Sequence, residues 1–181
     1  MKTTHKIIVI DLEATCWEGQ PPKGQVNEII EIGICVLDTV TGDITGNKGI
    51  LVRPERSAVS GFCTRLTTIT PAMLAAEGIP FDQACKALRS TYEAQQYTWA
   101  SYGAYDLKMM SGQCRMRNVD YPLSQDHINV KELFVQRRGL SRKLGMNGAL
   151  EELGMPLEGT HHRGVDDARN IAKILWWCLQ H

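Results

Sequence analysis

The chain has 181 residues, with 20 Lys plus Arg against 20 Asp plus Glu and a formal net charge of zero. At 43% hydrophobic and 22% charged it is not a disordered chain, and its apolar runs at 7–10 and 171–179 fall short of the ~20 residues a membrane span needs. Neutrality also removes the overall basicity that marks many nucleic-acid binders, so a nucleic-acid partner must be recognised by a local site.

The opening residues 1–6 lack the apolar stretch and cleavage site of a secretory leader. The cysteines are dispersed, without a CxxC pair, and suit free thiols acting as small core hydrophobes in a reducing cytoplasm. Residues 6–11 (KIIVID) are a β-branched run and read as a buried strand. Gly and Pro make 19–24 a loop. Residues 28–37 and 49–53 read as two further strands, joined as a hairpin across the turn-rich stretch 38–46.

Thr70 caps a helix that Pro71 opens and that runs to 77. Pro80 opens a second, from 81 to about 95, with Phe81, Ala84, Cys85, Leu88 and Tyr92 at apolar spacing. A strand follows over 97–102, then a helix over 104–117 and a short extended piece at 128–130. Helices over 131–138, 146–153 and 165–179 complete the chain. Without repeats or linkers, this order predicts one α/β domain over 1–181, with a mixed sheet and helices on its faces.

Asp11 and Glu13 stand two residues apart at the end of the first strand, so both carboxylates point to one side of the sheet. Carboxylates held that close repel, and a divalent cation relieves the repulsion. Asp106 opens the helix after the strand 97–102. In the run HHRGVDDAR, His161 precedes Asp166 by five residues and His162 precedes Asp167 by five. The helical stripe Val165, Ala168, Ile171, Ala172, Leu175, Cys178 and Leu179 decides between them. Asp167 lies at its edge, whereas Asp166 lies opposite, with Asn170, Lys173 and Trp177. That selects Asp167 and, with it, His162. Four acids balance two divalent cations such as Mg²⁺ or Mn²⁺, and a neutral histidine can accept a proton from water.

At these residues the chain resembles the DEDDh family of 3′-to-5′ exonucleases. The segments 9–16 (VIDLEATC), 28–33 (EIIEIG), 60–70, 101–106 (SYGAYD) and 162–170 (HRGVDDARN) are similar to the branch of RNA-interference-limiting and histone-mRNA exonucleases and bacterial KapD-like proteins. The resemblance implies an RNase H-like α/β fold and two divalent ions, Mg²⁺ with Mn²⁺ as a substitute. Their ligands would be Asp11, Glu13, Asp106 and Asp167, with His162 as general base. It implies hydrolysis from the 3′ end of RNA or DNA to nucleoside 5′-monophosphates, in the cytoplasm. The larger family members carry an added nucleic-acid-binding segment, and 181 residues leave room for the nuclease domain alone or with a partner protein. The alternatives are cleavage of very short oligonucleotides and a binding protein with a vestigial site.

Phe62, Tyr105 and Trp17 adjoin these motifs and are expected to stack on a terminal base. Backbone groups from Glu13 through Ala14 and Thr15 are placed to meet the 3′-hydroxyl. The stretch 131–143 holds Lys131, Arg137, Arg138, Arg142 and Lys143 against Glu132, and reads as a loop gripping phosphates through Arg137 and Arg138. Trp176 and Trp177 are candidates for an interface.

Overall fold

The computed structural model describes residues 5–181; the leader reading for 1–6 therefore falls largely outside the described residues. Strand β1 (Lys6–Ala14) pairs antiparallel with β2 (Ile29–Asp38), and β2 with β3 (Ile44–Leu51). On its other edge β1 runs parallel to β4 (Trp99–Ser101), which pairs parallel with β5 (His127–Asn129). The result is a five-stranded mixed sheet in the order β3-β2-β1-β4-β5. β1 and β2 are buried on both faces, which explains why they read as continuous apolar runs rather than alternating ones.

The helices are α1 (Gly61–Thr67), α2 (Pro71–Glu77), α3 (Phe81–Ser90), α4 (Tyr105–Arg117), α5 (Val130–Arg138), α6 (Met146–Glu152) and α7 (Gly164–Gln180). Alternation along β1 sorts them into two layers. Ile7 and Val9 pack with Phe134 of α5, Leu150 of α6 and Ile171 and Leu175 of α7. Ile8, Ile10 and Leu12 pack on the other face with Phe81 and Leu88 of α3 and Met110 of α4. Asp11 and Glu13 continue the Ile7–Val9 register, so they face α7. No helix among the described residues is long and apolar enough to cross a membrane. The cysteines are free, and all but half-buried Cys16 lie in the core.

The expected elements are present, with four differences. α1 was not anticipated: its Gly and two Thr are poor helix formers, but Ser60 caps it by accepting the Cys63 N–H at 3.0 Å, and burial of Cys63 holds it. β3 begins at Ile44 rather than 49, because Thr45 to Lys48 form an exposed edge without apolar alternation and only pairing with β2 defines it. α3 stops at Ser90, short of 95, and Glu93 turns left-handed at φ 49°. Asn170 is fully buried, because the loop before α7 crosses that face; its side chain accepts the Glu158 N–H at 3.0 Å and donates to the Glu158 carbonyl at 2.9 Å. Trp176 and Trp177 are half-buried: Trp176 covers Gly42, and Trp177 packs edge-on to Phe134 at 5.8 Å.

The N-terminus of α7 lies directly against the sheet. A β-carbon on Gly33 would collide with the Gly164 carbonyl, and one on Gly164 would sit 2.9 Å from the Gly33 nitrogen and 3.1 Å from the Asp11 carbonyl. Gly33→Ala is therefore expected to destabilise the fold by about 3 kcal/mol, the upper end for overpacking, lowering the melting temperature by roughly 6–12 °C. Gly112, inside α4 with open space around it, provides the contrast: Gly112→Ala should stabilise by about 0.5–1 kcal/mol. Thermal melts of the two variants check both signs.

Candidate active site and metal centre

Three elements deliver the acids. β1 carries Asp11 and Glu13, the latter paired across to Glu31 of β2. β4 pairs with β1 only as far as Val9, so the β1 edge beyond is open, and the Leu12 N–H there donates to the Asp106 carboxylate at 2.9 Å. That bond pins the first turn of α4 beside the strand. Asp167, in the first turn of α7, accepts the backbone N–H of His162 at 2.8 Å. Glu13, Asp106 and Asp167 are each less than a tenth exposed.

Carboxylate oxygens of Asp11, Glu13 and Asp167 lie within 4.8 Å of one another. Burial and then the neighbouring charges of Asp106, Glu13 and Asp167 hold the Asp11 carboxyl well above its ordinary range. Burial first, then Asp167 and Glu31, pushes Glu13 up to about 9. Burial raises Asp106 to about 6 against the opposing Leu12 hydrogen bond, and it raises Asp167 as well. Acids that keep their protons for want of positive charge form a hard, all-oxygen donor set suited to Mg²⁺ or Mn²⁺. The residues present fit divalent cations.

Both histidines reach the site. The His161 Nδ1 lies 3.0 Å from Asp167 Oδ2, six residues on, a spacing the sequence reading did not weigh; His162 meets Asp167 through its backbone N–H. His162 adopts the left-handed region at φ 65°, and its ring stacks on that of His161 at 3.9 Å. Burial and the neighbouring His161 depress the His162 pKa. As expected, Asp166 stays outside the site, accepting the Thr160 N–H at 2.8 Å.

These groups open into a cleft of about 380 Å³ that Ala14, Cys16, Leu66, Tyr102, Tyr105 and Lys131 also line. A larger recess, about 470 Å³ behind α4, offers only Arg115 and Asp120 as charged groups and lacks an acid cluster, so the chemistry belongs to the smaller cleft. Tyr105 stands 54% exposed at the mouth and Leu66 37%; Phe62 lies one turn before Leu66 on α1, half-buried. Leu66 was missed because α1 was missed. Trp17 is half-buried in the loop after β1.

Two expectations need correction. Thr15 is fully buried, its N–H donates to the Glu28 carbonyl at 2.8 Å and its carbonyl accepts from Asn27, so its backbone is not available to a 3′-hydroxyl; Ala14 stays at the cleft. Residues 131–138 form helix α5, as their pattern predicts, and this places Arg137 and Arg138 on a helix and not in a gripping loop. Arg137 and Arg138 occupy its last turn, where cations complement the helix carbonyl end, and Arg138 pairs with Glu152 at 3.1 Å, as Lys143 does with Glu132 at 2.9 Å. Arg137 acts on Cys178, which lies about 16 Å along α7 from Asp167 at 1.5 Å per residue. Of the basic stretch, Lys131 lines the cleft, its Nζ 5.8 Å from the Tyr102 ring centre.

Glu31 and Arg163 are support residues that sequence reasoning missed. Fully buried Glu31 accepts from Arg163 Nε at 3.2 Å, Arg163 Nη2 at 3.1 Å and the Gly164 N–H at 2.7 Å. A charged residue inside an otherwise apolar strand was the available signal.

The fold and this acid cluster define an α/β domain of the nuclease kind, with a carboxylate group that could hold a metal ion. The chain belongs to the exonuclease family, whose model matches residues 8–175. It is 34% identical to human 3′-5′ exoribonuclease 1 over 184 residues, covering 96% of this chain and 52% of that protein. With the probable 3′-5′ exonuclease KapD of Bacillus subtilis it shares 25% identity, over 95% of this chain and 83% of that one. The nuclease domain of 3′hExo, a DEDDh family member solved bound to rAMP, superposes with a TM-score of 0.88 at 32% identity, over 99% of this chain and 94% of that chain. The chain spans about half the length of the first curated relatives it matches.

A carboxyl with a raised folded pKa keeps a proton that the unfolded chain releases, so stability falls as pH rises between the two values. In chelator, the melting temperature should therefore decline as pH rises from 4.5, the ordinary glutamate value, to about 9, the raised Glu13 value, with Asp106 adding to the slope up to about 6. Mn²⁺ should reverse most of that decline by replacing the protons. Asp11→Asn should melt higher than wild type without metal and lose most of the Mn²⁺ shift. A melting temperature indifferent to both pH and Mn²⁺ would contradict the clustered, ion-seeking acids.

Proposed function

We propose that this chain is a metal-dependent 3′-to-5′ exonuclease that releases nucleoside 5′-monophosphates from RNA or DNA, the exoribonuclease relatives favouring RNA. The observation that carries the reading is the convergence of Asp11, Glu13, Asp106 and Asp167 from three elements on one cleft beside His162. Asp11, Glu13, Asp106 and Asp167 are the residues that would hold Mg²⁺. Bound cations supply the positive charge that stabilises the attacking and leaving oxygens of a phosphoryl displacement.

The chain's own groups account for the rest. His162, with its pKa depressed by burial, is neutral at pH 7 and accepts the proton of the attacking water at its ring nitrogen. His161 orients the Asp167 carboxylate through its Nδ1 at 3.0 Å. Tyr105 and Leu66 flank the mouth with a ring and a branched side chain, and a terminal base stacked there gains about 1–3 kcal/mol without sequence preference. Phe62 extends that surface along α1. Ala14 offers the β1 backbone at the cleft floor, and the Lys131 ammonium meets a phosphate of the incoming strand. Burial raises the Tyr102 hydroxyl to about 12, so it stays protonated and ties the end of β4 to the Leu144 carbonyl at 3.1 Å.

End-labelled single-stranded RNA, DNA and duplexes, incubated with Mg²⁺, test polarity and sugar choice. Asp11→Ala and Asp167→Asn should each lower turnover by at least about a thousandfold while the fold persists, as expected when charge stabilisation of the reacting oxygens is lost. Persistent Mg²⁺-dependent cleavage in both would refute the assignment. Lys131→Ala should weaken substrate binding and reduce its salt slope by about one phosphate contact, whereas Arg137→Ala and Arg138→Ala leave that slope unchanged. The acid limb of turnover against pH should fall below 6.5, the ordinary histidine value, in line with the lowered His162 pKa.

A further inference from the structure

The cleft contains two overlapping ligand sets of different chemistry. One is the all-oxygen group Asp11, Glu13 and Asp167; the other is His161, His162 and Asp167, whose candidate ligand atoms also lie within 4.8 Å of one another. Asp167 belongs to both. Oxygen-only sets suit Mg²⁺ and Mn²⁺, whereas two imidazoles and a carboxylate suit Zn²⁺ and its borderline neighbours.

We propose that His161, His162 and Asp167 form a zinc site that competes with the catalytic cations for Asp167 and withdraws His162 from the reaction. The backbone prepares it. The left-handed conformation of His162 (φ 65°) turns its ring onto that of His161, with ring centres 3.9 Å apart and planes 24° from parallel. L-residues rarely adopt that region, and here the segment 160–164 holds His162 in it with the adjacent rings paired. The same segment is held at its far end by Glu31, through Arg163 and the Gly164 N–H. His161 Nδ1 already meets Asp167 Oδ2 at 3.0 Å, an approach a metal ion can replace.

Zn–N bonds of about 2.0–2.1 Å in tetrahedral geometry place ligand atoms about 3.3 Å apart. The candidate atoms start within 4.8 Å of one another, and the His161 side chain is 39% exposed, so its ring exchanges the contact with Asp167 for the ion at the cleft surface. Three protein ligands leave a fourth position for water, and the ion enters from the cleft. Each imidazole ligates through its unprotonated nitrogen and keeps the N–H on the other; a ring that was protonated releases one proton to solvent. Zinc there holds the one ring nitrogen that would accept the proton of the attacking water. The inhibitory consequence rests on the exonuclease reading; the binding itself does not.

Calorimetric titration of the full chain with zinc chloride, without substrate, and zinc-edge X-ray absorption of the complex separate the two. Two imidazoles are expected in the zinc shell. His161→Gln keeps a hydrogen-bond donor towards Asp167 but removes a ligand; it should lower zinc affinity by about tenfold or more and leave one imidazole. Asp11→Asn removes the all-oxygen set and should leave zinc affinity within about threefold, a change under 0.7 kcal/mol. A zinc shell without imidazole, or affinity lost in Asp11→Asn and retained in His161→Gln, would overturn the site and place zinc on the acids. In Mg²⁺-supported cleavage, micromolar zinc should inhibit the wild type, with the inhibition constant about tenfold weaker in His161→Gln. An unshifted constant would overturn the inhibitory role, and a chain without nuclease activity would leave the binding result standing.

Discussion

The site depends on how closely the start of α7 approaches the sheet. Gly33 in the middle of β2 and Gly164 at the first position of α7 leave no side chain between strand and helix. Glu31, two residues before Gly33 and on the same face, closes the contact by accepting both the Arg163 guanidinium and the Gly164 N–H. A buried carboxylate bound this way is costly unless every lone pair is satisfied, and here three donors serve it. The contact places Asp167, one turn into α7, against Asp11 and Glu13. Without it, β1 would carry two acids facing an ordinary helix.

The price of that arrangement is repulsion. Four acids from three elements share one cleft, and their raised proton affinities record how little positive charge the protein itself provides. Arg163 lowers the Glu13 pKa only as a minor influence, because its guanidinium is committed to Glu31. Overall neutrality therefore hides a strongly acidic centre. The compensating bases do not gather opposite it: Arg138, Lys143, Arg169 and Lys173 pair with nearby glutamates across the surface. Lys131 alone of the 131–143 stretch turns to the cleft. Positive charge for a phosphate must come chiefly from bound cations.

Legibility followed periodicity. Asp11 and Glu13 were readable because a period of two is rigid along a strand, and Asp167 because a period of 3.6 separates the edge of an apolar stripe from its opposite face. The same helical reasoning failed at Asn170, since an isolated wheel does not show that the loop through Glu158 covers its polar side. α1 was invisible for lack of helix propensity, and with it Leu66; its stability comes from a cap and a buried cysteine. The basic stretch misled because composition records charges and not their partners: Arg138 finds Glu152 fourteen residues away.

From the chain alone came the order of the elements other than α1, the single mixed sheet, the five candidates Asp11, Glu13, Asp106, His162 and Asp167, and the family resemblance. The elements, Asp11, Glu13 and the pairing of His162 with Asp167 rest on local spacing, which the covalent chain carries directly, whereas the family and Asp106 with it rest on the resemblance of short motifs. Only tertiary structure decided that His161 hydrogen-bonds Asp167 through its ring and His162 through its backbone, that Glu31 and Arg163 brace the site, that Thr15 is sealed and that Arg137 of α5 lies beside the far end of α7 from the acids. Those outcomes depend on which backbone segments meet across the fold, through contacts between residues as distant in sequence as Glu31 and Gly164, and neither propensity nor pattern specifies such meetings.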